Sequence, residues 1–267
     1  MNTELTIAGA ERIAQAFAGC GKRAALMPYL MGGFPDEATS RAIGEAYADG
    51  GADLVELGVP FSDPIADGPV IQAAATAALR AGATVDGTLG LCEALSARLP
   101  VVLMTYANLV LARGVERFDA DAASAGASGL IIPDLPLEEA PQALAACDAA
   151  GVALVPLVAP TSTDDRLQRI GARARGFLYT VSVTGTTGER AVLSDSFADV
   201  VARAKACTGV PVALGFGIAS PEQAAAAARA GADGVIVGSR LVRAAAEADD
   251  PAGAVREIVA AFADALR

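Results

Sequence analysis

Apolar runs and helical patterns alternate along the whole chain. The runs lie at 24–31 (AALMPYLM), 53–60 (DLVELGVP), 101–107 (VVLMTYA), 129–135 (GLIIPDL), 153–159 (ALVPLVA), 177–182 (FLYTVS), 211–217 (PVALGFG) and 234–240 (GVIVGSR). They are apolar at successive positions, as expected of parallel strands covered on both faces by helices. Residues 9–20 predict an amphipathic helix ahead of the first run, and helical spacing recurs at 36–50, 137–151, 163–176 and 220–231. The long interval after the second strand predicts two helices, at about 68–81 and 86–98. The helix at 220–231 carries its own end signals: Ser220 caps it, Pro221 takes the first position, Gln223 completes a capping box, and Gly231 ends it.

A weak internal repeat supports this register. GGADLVEL, AGASGLII, AGVALVPL and AGADGVIV each set a small-residue helix end directly before an apolar strand. Eight such units, without a linker-like stretch, predict an α/β fold: a single (β/α)8 TIM barrel over 1–267. It has an extra N-terminal helix and additional helices in the βα connections. A doubly wound open sheet is the structural alternative, and the number of units favours closure.

Composition removes several classes of function. A net charge of −11 argues against nucleic acid and anionic membrane as partners. No apolar run reaches the roughly 18 residues of a spanning helix. The first residues lack the basic and apolar regions of a secretory signal, so a cytoplasmic protein is expected. Cys20, Cys92, Cys147 and Cys207 form no CxxC pair and read as small buried residues in a reducing compartment. Histidine is absent, and Lys22 and Lys205 are the only lysines.

In a barrel of this kind the chemistry sits at the C-terminal ends of the strands. The second strand holds Glu56 inside an apolar run, with Asp63 and Asp67 in the Pro- and Gly-stiffened loop that follows. Burying an ionised carboxylate is costly unless it is paired or protonated, so this placement suggests proton transfer. A partnered structural glutamate is the bland alternative. The last strands end in a second constellation: Gly185 and Gly188, then Gly215 and Gly217, then Gly238 and Ser239. Glycine amides and a helix N-terminus suit a phosphate, and the final loops are its usual place in this fold. Acid/base chemistry on a small phosphorylated substrate follows. Lys22 precedes the first strand and Lys205 lies on an outer helix, which disfavours a Schiff-base aldolase. The lack of histidine disfavours a metal-dependent one. Carbon–carbon cleavage here needs a substrate with its own electron sink.

VELGVPFSDPIADGPVIQ, MTYANLV, IIPDLPLEE, VSVTGTTGER, GFGIASPEQ and VGSRLV together resemble the tryptophan synthase α-subunit family, in order and spacing, over nearly the whole chain. The resemblance implies retro-aldol cleavage of indole-3-glycerol phosphate to indole and glyceraldehyde 3-phosphate, with the protonated indole ring as electron sink. It implies that Glu56 shuttles protons, that Asp67 hydrogen-bonds the indole N–H, and that Tyr179 lies near the glycerol chain. Gly188, Gly217, Gly238 and Ser239 match the phosphate site. Tyr29, Ile71, Met104, Tyr106, Leu135 and Phe216 match the indole pocket, with Tyr29 and Met104 standing where the family often has phenylalanine and leucine. Residues 183–196 match a lid, with Thr187 as its threonine. Pro60, Asp63, Asn108, Asp134 and Pro136 match positions near a β subunit, within an α2β2 complex. This chain is expected to carry no cofactor or metal, and pyridoxal phosphate is expected in the β subunit. A stand-alone lyase, a barrel kept chiefly as an activating partner, and a phosphosugar isomerase are the competing readings.

Overall fold

Nine short parallel strands make one continuous sheet whose two ends are halves of the same extended stretch. The computed structural model describes residues 8–181, 197–215 and 217–267. The strands are β1 (Ala25–Met31), β2 (Val55–Gly58), β3 (Val101–Met104), β4 (Ala127–Ile131), β5 (Ala153–Leu154), β6 (Leu157–Val158), β7 (Leu178–Val181), β8 (Val212–Gly215) and β9 (Gly234–Val237). Their spatial order is β5-β4-β3-β2-β1-β9-β8-β7-β6. The seam lies between β5 and β6. There the Val155 N–H donates to the Leu130 carbonyl at 2.9 Å, and the Tyr179 N–H donates to the Pro156 carbonyl at 3.0 Å. Pro156 has no N–H to offer, so the chain passes from β4 to β7 at this residue. The expected eight-stranded barrel thus closes, with its fifth strand split in two.

The helices lie outside the wall, except the first. They are α1 (Ala8–Gly19), α2 (Glu37–Asp49), α3 (Pro69–Arg80), α4 (Val85–Ser96), α5 (Ala107–Arg113), α6 (Val115–Ser124), α7 (Ala140–Ala150), α8 (Asp164–Gly171), α9 (Phe197–Lys205), α10 (Pro221–Arg229), α11 (Ser239–Glu247) and α12 (Pro251–Ala265). Every residue of β1 to β5, β8 and β9 is buried, which is why those strands are apolar at nearly every position, with Glu56 on β2 and Ser128 on β4 as exceptions. The capping box of Ser220 and Gln223 forms as expected. Two helices are shorter than expected. α7 begins at Ala140, with a proline in its first turn. α8 stops at Gly171, where a β-carbon would come within 2.2 Å of the Cys207 carbonyl oxygen. β2, β3, β4, β8 and β9 also stop two to four residues before their apolar runs do, because loops over the barrel mouth are apolar as well.

α1 closes the N-terminal end of the barrel. Ile13 and Phe17 are buried there. The glycines above leave room for them: β-carbons at Gly129 and Gly176 would lie 3.2 and 2.9 Å from Ile13, and one at Gly234 would lie 2.7 Å from Phe17. Both lysines serve the same floor. Lys22 binds the Gly51 carbonyl and Asp53, whose other oxygen accepts from the Leu26 N–H at 2.7 Å. Lys205 binds the Gly231 carbonyl and Asp233, whose other oxygen accepts from the Val212 N–H at 2.8 Å. Each GAD segment is pinned to the preceding strand in the same way. Cys92 and Cys147 are buried, while Cys20 and Cys207 are partly exposed; all four are free thiols. Among the described residues no helix is long and apolar enough to cross a membrane.

Candidate active site

Glu56 points into the barrel from β2. It lies in register with Tyr29 on β1 and Val102 on β3. Its side chain is buried, with 1 % of the residue exposed. Burial, reinforced by the nearby Asp67 carboxylate, pushes its proton affinity up to about 8.

Asp67 reaches the same space from the loop between β2 and α3. The Pro64 carbonyl accepts from the Asp67 N–H at 3.1 Å, and Gln72 Nε2 donates to the Asp67 carbonyl at 2.8 Å, so the loop is tied to the helix it precedes. Tyr106, just past β3, anchors the loop from the other side. Its ring stacks on Phe61, with centroids 5.3 Å apart. Its hydroxyl accepts from the Ala66 N–H at 3.1 Å and donates to the Asp67 carboxylate. Burial raises Asp67 to about 6, and the Tyr106 hydrogen bond opposes that rise. Tyr29 and Tyr179, both buried, face the two carboxyl groups, and desolvation raises both phenols well above the usual range.

Beyond β1, the ends of β8 and β9 offer backbone amides. Gly238 is the N-cap of α11, with no side-chain cap, and Ser239 is the buried first residue of the helix. An uncapped helix N-terminus favours an anion. Gly217 takes φ +99°, a left-handed conformation that glycine adopts freely. A β-carbon at Gly238 would lie 3.6 Å from that of Tyr29, so this end of the site adjoins the carboxyl end. Thr187, Gly188 and Phe216, with the whole expected lid at 183–196, lie outside the described residues.

Ile71 and Met104 are buried beside the mouth. Leu135 lines a cavity of about 560 Å³ that runs from Ala66 and Val181 outward between α7 and α8. Of the expected partner-contact residues, Asp63 is exposed, Asn108 and Pro136 lie on the surface of the mouth, Asp134 is partly exposed, and Pro60 is buried within the chain. Asp134 also serves the chain internally. Its carboxylate accepts from the Ala107 N–H at 2.9 Å and caps α5 from a neighbouring loop. Ile65, at the loop tip, is 73 % exposed.

Sequence reasoning did not single out Gly58 and Phe61, and it placed Gly215 only among the phosphate glycines. A second signal was present at both glycines, since glycine inside a strand marks a close approach. β-Carbons there would lie 2.0 Å from the Tyr29 hydroxyl and 2.3 Å from the Tyr179 hydroxyl. Among the described residues no group of three or more metal-ligating side chains is assembled.

Comparison with known proteins gives the family. Residues 17–266 match the family model described as tryptophan synthase alpha chain. A tryptophan synthase alpha chain from Prochlorococcus marinus is 48% identical over 244 residues, covering 91% of this chain and 87% of that protein. One from Methanosarcina mazei is 48% identical over 229 residues, covering 86% and 84%. A Mycobacterium tuberculosis tryptophan synthase structure superposes with a TM-score of 0.90 at 43% identity, over 96% of this chain and 98% of that one. A Pyrococcus furiosus structure described as the tryptophan synthase a2b2 complex gives 0.85 at 35% identity, over 90% and 98%.

Proposed function

The chain belongs to the tryptophan synthase alpha chain family, and from that premise we propose that its barrel mouth cleaves indole-3-glycerol phosphate to indole and glyceraldehyde 3-phosphate. The observation that carries the assignment of roles is the pair of buried carboxyl groups, Glu56 and Asp67, whose proton affinities are pushed up to different levels, about 8 and about 6. At neutral pH the first is protonated and the second ionised, a division suited to an acid and a charge stabiliser. Glu56 gives its proton to indole C3. Asp67 accepts the indole N–H and stabilises the positive ring. The bond to the glycerol chain then breaks as its hydroxyl proton passes to the Glu56 carboxylate, leaving indole and an aldehyde. Tyr179 lies beside the reacting chain. Tyr29, Ile71, Met104, Tyr106, Leu135 and Phe216 enclose the ring, while Gly188, Gly217, Gly238 and Ser239 hold the phosphate, with Thr187 in the lid.

Indole passes to a β subunit in an α2β2 complex, with Pro60, Asp63, Asn108, Asp134 and Pro136 at or near the contact. Pyridoxal phosphate belongs to that subunit, and this chain works without a cofactor or metal. Both of its lysines are engaged at the barrel floor, which supports that assignment. One family model spanning 17–266 supports treating 1–267 as one domain. Four free thiols suit a reducing cytoplasm.

The test is indole release from indole-3-glycerol phosphate by the purified chain, alone and with a β subunit. Slow turnover alone and strong stimulation by the partner are expected. Release of no indole in either condition overturns the assignment, and fast release without a partner replaces it with a stand-alone lyase.

A further inference from the structure

Two tyrosines facing the carboxyl pair are placed alike. Tyr29 on β1 is level with Glu56 on β2, and its ring runs up to Gly58, two residues on. Tyr179 on β7 is level with Ala213 on β8, and its ring runs up to Gly215, again two residues on. In both cases the neighbouring strand gives up a side chain so that a phenol can stand inside the barrel. A pocket wall needs only the ring of Tyr29, and a phenylalanine would supply it. The hydroxyl is therefore the feature to explain.

A buried phenol generally finds a firm hydrogen-bond partner. The Tyr29 O–H is instead directed at the Met31 sulfur, 3.9 Å away, a weak acceptor. Among the described residues the titratable groups facing it are Asp67 from the loop before α3, Glu56 on β2, Tyr106 beyond β3 and Tyr179 on β7, and all four are acids. On the β9 side the Gly238 backbone adjoins it, where a β-carbon would lie 3.6 Å from that of Tyr29. A good donor is thus held on a poor acceptor beside a carboxyl group that must become charged during turnover.

We propose that Tyr29 is a positioning residue for the cleavage, its hydroxyl swinging from the Met31 sulfur to the Glu56 carboxylate as Glu56 gives up its proton. The inference rests on the role given to Glu56 under the proposed function. The proton moves from Glu56 to the substrate carbon. Tyr29 keeps its own, and only its hydrogen bond changes partner, from a weak O–H···S contact to a charge-assisted one. Stabilising the carboxylate lets Glu56 release its proton more readily.

The experiment is the pH profile of kcat for indole release, with the β subunit present, for the wild type, Tyr29→Phe and Met31→Leu. Loss of the hydroxyl is expected to move the alkaline limb, set by Glu56, upward by about one unit and to lower kcat about tenfold at neutral pH, with little change in KM. Met31→Leu nearly conserves volume and keeps the tyrosine, which guards against loss of fold. It removes the sulfur and is expected to move the same limb downward. A wild type that releases indole, with the limb unmoved in both variants, overturns this inference alone. A wild type that releases none overturns the function on which it rests.

Discussion

The Tyr106 hydroxyl accepts from the Ala66 N–H at 3.1 Å and donates to the Asp67 carboxylate, so one phenol fixes the loop and tunes the acid it carries. Tyr106→Phe keeps the stack on Phe61 but removes both bonds. The Asp67 carboxylate then loses the donor that holds its proton affinity down. The acidic limb of the kcat/KM profile should move up by about one unit, because a hydrogen bond to the charged form is worth about that much. An unmoved acidic limb would mean that Asp67 does not set it.

Glu56→Gln should abolish indole release while substrate still binds, since the amide keeps the shape but cannot deliver a proton. The wild-type profile should be bell-shaped. Activity rises as Asp67 ionises near 6 and falls as Glu56 deprotonates near 8. Single-turnover indole release, with calorimetric binding of the substrate to the variant, checks both statements. Near wild-type turnover by the glutamine variant would remove Glu56 from the mechanism.

Asp119 offers a test of stability away from the site. It is buried on α6, neither carboxyl oxygen has a hydrogen-bond partner of normal geometry, and the Cys147 thiol lies beside it. Burial raises it to about 6 from a usual value of 3.8. The folded state therefore favours the protonated form. The stability this confers is complete below about pH 4 and is lost as pH rises toward 6. Asp119→Asn removes the titration. Its stability relative to wild type should improve by on the order of 2 kcal/mol between pH 4 and 6.5 and then level off. Urea midpoints across that range read the trend, and parallel curves would refute it.

Gly9 is where α1 meets the barrel floor. Its N–H donates to the Gly151 carbonyl at 2.9 Å, and a β-carbon would come within 2.1 Å of the Ser128 carbonyl oxygen. Backbone cannot yield as a flexible side chain does. Gly9→Ala should therefore lift α1 from the floor and destabilise the protein by about 1–3 kcal/mol. Turnover of the folded fraction should be unchanged, because the chemistry lies at the other end of the strands. Unfolding midpoints and kcat measured on the same preparation separate the two effects.

The barrel is readable from the sequence because its strands are buried on both faces and its helix ends carry local signals, as at Ser220 and Gly231. The carboxyl pair is legible for a related reason: an acid such as Glu56 in an apolar strand stands out. Contacts made at a distance leave weaker traces. That Tyr106 holds Asp67 depends on how two separate loops pack, and that Asp134 caps α5 depends on packing between successive loops. α5, α6, α11 and α12 have no counterpart in the sequence reading; α5 is only seven residues long, but α12 is fifteen and α11 is strongly amphipathic, so for these two the periodic signal is present in the sequence. Apolar runs overshoot the strand ends wherever the mouth loops are themselves buried.

The split at Pro156 gives the wall a clasp. Pairing runs without a break from Ala153 round through β1 to Leu157, so the sheet is a ribbon whose ends lie within one short stretch of chain. Only a few hydrogen bonds fasten it, and the cavity between α7 and α8 opens directly onto them. When the wall breathes, it should part there first. Deuterium should enter at the amides of Val155 and Tyr179 sooner than at Val55 or Val102 in the middle of the ribbon. The barrel then has a preferred line of opening beside its own mouth, although a closed barrel has no free edge.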